Sequence, residues 1–169
     1  MLQLISVVMV VYSYFLVRTS IPHLPHVIPT HFNAAGVADG WGSPDTLWVL
    51  LCAQALTTAV FLIVPYVGQR FPGAIHLGPQ RLSDFPPAAR TRVLPMVDNM
   101  AGYLSILMNL FFVYMLWKVI QAASEPVPEL PMFWPMVLLL AGTLGIIVYY
   151  LARFGRIAKG ENGSGPPSR

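Results

Sequence analysis

The residues best suited to chemistry lie in one polar stretch near the N-terminus, IPTHFNAAGVADGWGSPD. His31, Asn33 and Asp39 lie within it, and His23 and His26 precede it. Imidazole and carboxylate groups bind zinc and other transition metals, so these side chains are candidate metal ligands. Their spacing is not the helical pair of a metalloprotease, and no glutamate lies beside them to act as a general base. A metal site is therefore one alternative among three.

A structural role is the second alternative for the same side chains. Asn33 can start a turn and Gly36 can adopt a positive φ, so the stretch is predicted to fold into a small hairpin. In such a hairpin His31 and Asn33 would hydrogen-bond the loop backbone, and Asp39 would brace the turn. This structural interpretation is the preferred one for these polar side chains.

A binding surface is the third alternative. Phe32 and Trp41, taken as exposed, can supply large contact area at small entropy cost, and the Asn, Asp, Gly and His side chains around them can hydrogen-bond. No nucleophile paired with a base and no complete metal-ligand set accompanies them, which favours a non-catalytic loop. The residues of this predicted binding or structural loop are Pro29, His31, Phe32, Asn33, Gly36, Asp39, Gly40, Trp41 and Gly42.

The composition indicates that the loop belongs to an integral membrane protein. Apolar residues make up 56% of the chain and charged residues 10%, whereas about a quarter of residues are charged in a soluble domain. Four segments are long enough to cross a hydrocarbon layer of about 30 Å. They are approximately residues 2–21, 46–67, 96–120 and 132–152. The predicted fold is an all-α membrane protein, a four-transmembrane-helix bundle with a small extracytoplasmic hairpin-like loop between helices one and two.

The distribution of charge predicts the domain organisation and the topology. Residues 1–152 are predicted to form a single integral membrane domain, and residues 153–169 a disordered cytoplasmic tail rich in Gly, Ser and Pro. Basic residues concentrate between spans two and three and after span four. Because cytoplasmic loops carry the Lys/Arg excess, both termini are predicted to be cytoplasmic. The four tryptophans would then form an outer aromatic belt.

Two helix starts are also predicted. Ser43 is placed to cap the second span, with Pro44 at the first helical position. Ser83 or Asp84 is placed to cap a helix in the cytoplasmic loop that precedes the third span.

One face of the third span carries polar and small residues at spacings of four, three and four. They are Asp98, Gly102, Ser105 and Asn109. The preferred interpretation is a helix-packing seam joined by Gln54, Thr57 and Thr58 of span two, and a conducting path is the alternative. On span four, Ala141 and Gly145 form a small-x-x-x-small pair that permits close helix contact.

The segment LPHVIPTHFNAAGVADGWGS resembles the signature of bacterial membrane proteins that carry the domain of unknown function 1648. That domain occurs at the N-terminus of the immunity protein against the sporulation-delaying toxin and its relatives. The matching positions are Pro29, His31, Phe32, Asn33, Gly36, Asp39, Gly40 and Gly42. Ala38 stands where the family often has Pro, and nothing after Leu94 resembles the second multi-span module of those relatives.

Three functions follow as expectations. The first is a non-catalytic protein of the bacterial inner membrane, a sensor or immunity-type protein that meets a peptide or membrane-protein partner at its outer face. The second is an accessory subunit of a larger bacterial membrane complex, and the third is a metal-binding membrane enzyme. No cofactor is expected, the bilayer is a partner, and a net charge of +3 gives no reason to expect nucleic-acid binding.

Overall fold

The computed structural model describes residues 1–33, 35–77 and 80–162. Four helices long and apolar enough to cross a membrane dominate it. They are α1 (Leu2–Ser20), α2 (Thr46–Arg70), α3 (Pro87–Ala122) and α4 (Phe133–Asn162). A β-hairpin between α1 and α2 is formed by β1 (Ile28–Phe32) and β2 (Ala38–Gly42). The predicted four-helix membrane fold with its hairpin between the first two helices is confirmed.

Two predicted boundaries are wrong. The helix predicted in the loop before span three is the first part of α3, which runs unbroken from Pro87 instead of starting near residue 96. The disordered tail was predicted from residue 153, but α4 continues to Asn162, because the pattern of α4 remains compatible with a helix after the apolar run ends. Residues 163–169 of the predicted tail lie outside the described part of the chain.

Neither predicted residue is the N-cap of its helix. The N-cap of α2 is Asp45, which makes no side-chain cap hydrogen bond, and the helix begins at Thr46, so Pro44 precedes it. The Ser43 hydroxyl accepts a hydrogen bond from the Asp45 backbone N–H at 3.2 Å in the turn before α2. At α3 the N-cap position is Pro86, which has no capping side chain. Asp84 instead accepts the Arg81 backbone N–H at 2.8 Å, so it stabilises the turn that precedes α3.

The packing of the four helices is uneven. α3 contacts all three of the others, and α1 and α2 also contact each other, whereas the extensive helix contacts of α4 are with α3. Since successive helices run in opposite directions, the hairpin lies at the end of the bundle where α1 ends and α2 begins. We call this the hairpin end, and the end that holds both termini the terminal end.

A hydrophobic cluster closes each end of the bundle. At the hairpin end, Ile28 of β1 is fully buried against Val17, Leu47, Leu116 and Val119. At the terminal end, the loop between α2 and α3 folds over the helices and includes a second short hairpin, β3 (His76–Leu77) and β4 (Gln80–Arg81). The buried residues of the hydrophobic cluster at the terminal end are Leu77, Leu82, Phe85, Ala89, Val93, Met96, Val97, Tyr150 and Phe154.

A polar seam joins α2 to α3 inside the bundle. Gln54 Nε2 donates to Asn109 Oδ1 at 2.8 Å, and Asn109 Nδ2 donates to Thr58 Oγ1 at 2.9 Å. All three side chains are at most 3% exposed. Hydrogen bonds between side chains hold membrane helices together where no water competes for them. The packing interpretation of the polar face on span three is therefore supported at Asn109, while Thr57 only donates back to its own helix at Ala53.

Two further members of that predicted face also turn toward the bundle interior. Ser105 is fully buried, and Gly102 lies so close to α1 that a Cβ there would be 2.7 Å from Leu2 Cβ. Asp98, the fourth predicted member, is exposed and does not share their environment.

The predicted small-residue contact on α4 is off by one residue. A Cβ on Gly142 would lie 2.9 Å from Leu107 Cδ2 of α3, whereas one on Gly145 would meet nothing within 4 Å. Ala141 is exposed. Below Gly142, Ile146 and Tyr150 continue the contact with the cluster at the terminal end. One residue is a rotation of about 100° on a helix, so the predicted pair lies on the neighbouring stripe of α4.

Candidate binding hairpin

The two strands of the hairpin pair antiparallel with an irregular register. Ile28 pairs with Gly42 and Pro29 with Trp41, after which His31 pairs with Gly40 and Phe32 with Ala38. The register shifts on both sides of His31. Such bulges increase the local twist and redirect side chains. The irregular register leaves Asp39 between two paired positions of β2.

Asn33 and Gly36 form the tip of the hairpin. Asn33 Oδ1 accepts the backbone N–H groups of Ala35, at 2.9 Å, and Val37, at 3.1 Å. Gly36 has a φ of 81°, a left-handed conformation that disfavours any side chain. A Cβ at Gly36 would also approach the carbonyl oxygen of Leu130 to 2.6 Å. Asn33 therefore stabilises the tip through its side-chain amide oxygen, and Gly36 does so through its backbone conformation.

His31 and Asp39 come together across the hairpin. Their side chains form a hydrogen-bonded contact between His31 Nδ1 and Asp39 Oδ1. The side chains are 72% and 45% exposed, respectively. Gly40 makes room for this arrangement, because a Cβ there would lie 2.8 Å from His31 Cβ. Solvent screens an exposed pair of this kind, so its contribution to stability is small.

The remaining candidate ligands do not join this pair. His23 lies in a single turn of 3₁₀ helix after α1 and His26 in the following loop, and both are exposed. Among the described residues, no group of three His, Cys, Asp or Glu side chains is placed to hold a metal ion. The hairpin thus presents one imidazole–carboxylate pair on a solvent-exposed face.

The two aromatic side chains of the hairpin differ in their surroundings. Trp41 is 55% exposed. Phe32 is half-buried and packs against the hydrophobic cluster at the hairpin end, so the expectation that it is exposed is wrong. Burial along β1 does not alternate, because Ile28 and Pro29 are both buried and Thr30 and His31 are both exposed. The register shifts on both sides of His31 accompany the return of Phe32 toward the helices. One strand therefore anchors the hairpin, and Trp41 of the other strand faces outward.

The link between α3 and α4 braces the tip of the hairpin. The Leu130 backbone N–H donates to the Gly36 carbonyl at 2.7 Å, and the Ala38 N–H donates to the Pro128 carbonyl at 3.2 Å. Val37 also forms a β-bridge with Glu129. Leu130 is buried. This contact was not predicted from sequence, although the prolines of PVPELP favour the extended backbone that makes it possible.

Acidic and aromatic side chains surround the hairpin. Asp39, Asp45, Glu125 and Glu129 are all exposed. The tryptophans of the predicted belt are Trp41 in β2, Trp48 in the first turn of α2, Trp117 near the end of α3 and Trp134 at the start of α4. The helix directions bring all four to the hairpin end, as an interfacial belt requires.

Comparison with known proteins finds a family match for the region that contains the hairpin. Residues 4–57 match the profile of a family described as Domain of unknown function (DUF1648). The matched region covers α1, the hairpin and the first half of α2. No curated protein and no solved structure matches the chain.

Proposed function

Since residues 4–57 form a DUF1648 domain in a multi-pass membrane protein, we propose that the chain acts by binding rather than by catalysis. Its contact surface is the outward side of the hairpin, with Trp41 at its centre and the His31–Asp39 pair beside it. The partner is a peptide or a membrane protein that approaches the hairpin end. This is the sensor or immunity-type function that the family resemblance implies.

The observation that carries this proposal is the anchoring of the hairpin. Ile28 and Pro29 are buried in the bundle, and the tip is hydrogen-bonded to the α3–α4 link at Gly36 and Ala38. A surface held in place before binding loses little conformational freedom when the partner arrives. An exposed tryptophan on such a rigid support is typical of residues that dominate binding energy.

Charge favours a basic partner. Four exposed carboxylates lie at the hairpin end, and the basic groups there are Arg18, at the end of α1, and Lys118, whose Nζ donates to Gln121 Oε1 at 2.9 Å. Complementary charge accelerates association and excludes partners of the wrong sign. A cationic peptide or a basic loop of another membrane protein therefore fits this surface best.

Co-purification in mild detergent tests the binding surface. Trp41→Ala is expected to remove the protein that co-purifies with the wild type. Trp134→Ala is the matched control, because Trp134 is 69% exposed at the same end but lies outside the hairpin. If Trp134→Ala loses the partner and Trp41→Ala keeps it, the hairpin is not the contact surface.

We also propose a location in the bacterial inner membrane with both termini in the cytoplasm, supported by the basic residues at the terminal end. Single cysteines at Ala35 and Ala88 test this topology in a Cys52→Ser background, which contains no other thiol. Both alanines are exposed. An impermeant thiol reagent added to intact cells should label Ala35→Cys and spare Ala88→Cys. The opposite pattern would reverse the orientation.

A second candidate function rests on the open surface of α4. Near the hairpin end, α3 and α4 separate around an apolar groove of about 530 Å³ that includes Leu110, Phe111, Trp134 and Leu138. An accessory subunit could use this groove to receive a helix of a larger complex. In the co-purification experiment, this function predicts that Leu138→Ala releases the partner while Trp41→Ala retains it.

A further inference from the structure

A second groove between α3 and α4 lies at the terminal end and differs in chemistry from the apolar one. It encloses about 510 Å³ and includes Asn99 and Tyr103 of α3 and Gly145, Tyr149 and Arg153 of α4. The three α4 residues are four positions apart, so they form one stripe of the helix. That stripe lies beside the one that packs on α3 through Gly142 and Tyr150, and it is therefore left open.

Arg153 supplies a positive charge at one edge of this groove. Its Nη1 donates to the Tyr149 hydroxyl at 3.1 Å, and its guanidinium carbon lies 5.7 Å from the centre of the Tyr149 ring. Among the described residues, no carboxylate forms an ion pair with Arg153. Arg156 lies one turn further along α4 and adds a second exposed positive charge. Asp98, the acidic residue next to Asn99, is exposed on α3.

The position of Arg153 along α4 places this charge at headgroup depth. Twenty residues separate it from Phe133 at the start of the helix, a distance of about 30 Å at 1.5 Å per residue. That is about the thickness of the hydrocarbon core. A guanidinium at this depth meets the phosphate layer of the leaflet on the terminal side.

We infer that this groove binds the headgroup of an anionic phospholipid. Arg153 binds the phosphate, and the Asn99 amide and the hydroxyls of Tyr103 and Tyr149 donate hydrogen bonds to the headgroup oxygens. Gly145 leaves space for the glycerol and the first acyl carbons, because no atom lies within 4 Å of where its Cβ would be. A zwitterionic headgroup binds less well because Arg153 and Arg156 repel its ammonium group.

Native mass spectrometry of the delipidated protein in detergent tests this inference. Phosphatidylglycerol should bind at least about five-fold more tightly than phosphatidylethanolamine, the ratio expected for about 1 kcal/mol per basic residue. Arg153→Gln should lower that preference by about five-fold, because only Arg156 then remains near the headgroup. Arg70→Gln, which removes the same charge from the end of α2 and away from the groove, should keep it. Glycerol 3-phosphate and inorganic phosphate are titrated in parallel to separate a lipid from a free phosphate.

A second variant tests the groove without changing its charge. Gly145→Leu places a side chain in open space, so the fold is expected to survive while the lipid loses its place. Equal binding of the two lipids, equal losses in Arg153→Gln and Arg70→Gln, or full binding to Gly145→Leu would each overturn the inference. Binding of free phosphate as tight as that of the lipid would assign the groove to a soluble anion instead.

Discussion

The three helices α1, α2 and α3 are joined in a different way from α4. Gln54, Thr58 and Asn109 link α2 to α3 by buried hydrogen bonds, and α1 meets α3 closely at Gly102. α4 contacts α3 through an apolar stripe that begins at Gly142. Lipid tails compete well for apolar helix surfaces, whereas they cannot replace a hydrogen bond. The hydrogen-bonded helices α2 and α3 therefore form a structural unit together with α1, which packs against both of them. The extensive helix contacts of α4 are with α3, so α4 is an attached element.

The α3–α4 link partly compensates for this weaker attachment. Its hydrogen bonds to the hairpin at Gly36 and Ala38 lie outside the helix interfaces and tie the start of α4 to the region between α1 and α2. The difference between the two kinds of attachment gives an order of expected effects. Disruption of the polar seam should be most destabilising, release of the link should be intermediate, and a change in the α3–α4 contact should be smallest.

Asn109→Leu is expected to have the largest effect. It removes the acceptor of Gln54 and the donor to Thr58, and a stranded buried amide costs about 1–3 kcal/mol. The thermal unfolding midpoint in detergent should fall clearly. Asn99→Leu makes the same change on the same helix at an exposed position and should leave the midpoint nearly unchanged. Equal midpoints for the two variants would mean that the seam does not stabilise the three-helix unit.

Gly36→Ala is expected to release the link. The substitution forces an alanine into a left-handed conformation, which costs about 1–2 kcal/mol, and directs its Cβ at the Leu130 carbonyl. Cleavage of the link after Glu129 by a glutamate-specific protease should become about ten-fold faster if it follows local opening. Gly73→Ala is the control, since a Cβ there would meet only Ser83 Oγ at 3.9 Å.

Unchanged cleavage in Gly36→Ala would show that the hydrogen bonds between hairpin and link do not hold the link in place. A large fall in the thermal unfolding midpoint of the same variant would show that the hairpin and the helix core unfold together. Either result would remove the distinction between the attached fourth helix and the three-helix unit.

Gly142→Ala is expected to have the smallest effect. The added Cβ meets the end of the flexible Leu107 side chain at 2.9 Å. Leu107 can move aside, and the gain of about 0.5–1 kcal/mol for Ala over Gly inside a helix offsets part of the overpacking cost, so the net loss should be below about 1 kcal/mol. Gly145→Ala should raise the stability slightly, by about 0.5–1 kcal/mol, because alanine is preferred to glycine inside a helix and the neighbouring space is open. Thermal unfolding in detergent compares the two. A larger loss of stability in Gly145→Ala than in Gly142→Ala would support the sequence-based prediction that Ala141 and Gly145 form the contact with α3.

The helices could be predicted from sequence because their apolar runs are long and uninterrupted. The predicted start of α2 near residue 46 agrees with the structure. The start of α3 could not be predicted by apolar length, since the segment between Pro87 and Leu94 is polar enough to resemble a loop helix. The contact stripe of α4 could not be assigned either, because Ala141, Gly142 and Gly145 offer small residues on two neighbouring stripes, and only the position of α3 distinguishes them.

The hairpin was predicted from turn chemistry, and the roles of Asn33 and Gly36 follow from residue type alone. The burial of Phe32 does not follow from residue type, because it depends on which side of β1 faces the helices. The hydrogen bond between Gly36 and Leu130 is harder still to predict from the sequence. It joins residues nearly a hundred positions apart, and the backbone forms it without a distinctive side chain.

The length of α3 has a mechanical consequence. Its 36 residues span about 54 Å, well beyond the hydrocarbon thickness, so one helix reaches from the cluster under the hairpin to the cluster under the loop at the terminal end. Leu116 lies in the first cluster and Ala89 in the second. A displacement of α3 along its axis would therefore change the packing of both clusters. Pro95 removes one backbone hydrogen bond inside α3, so the helix can bend at this residue.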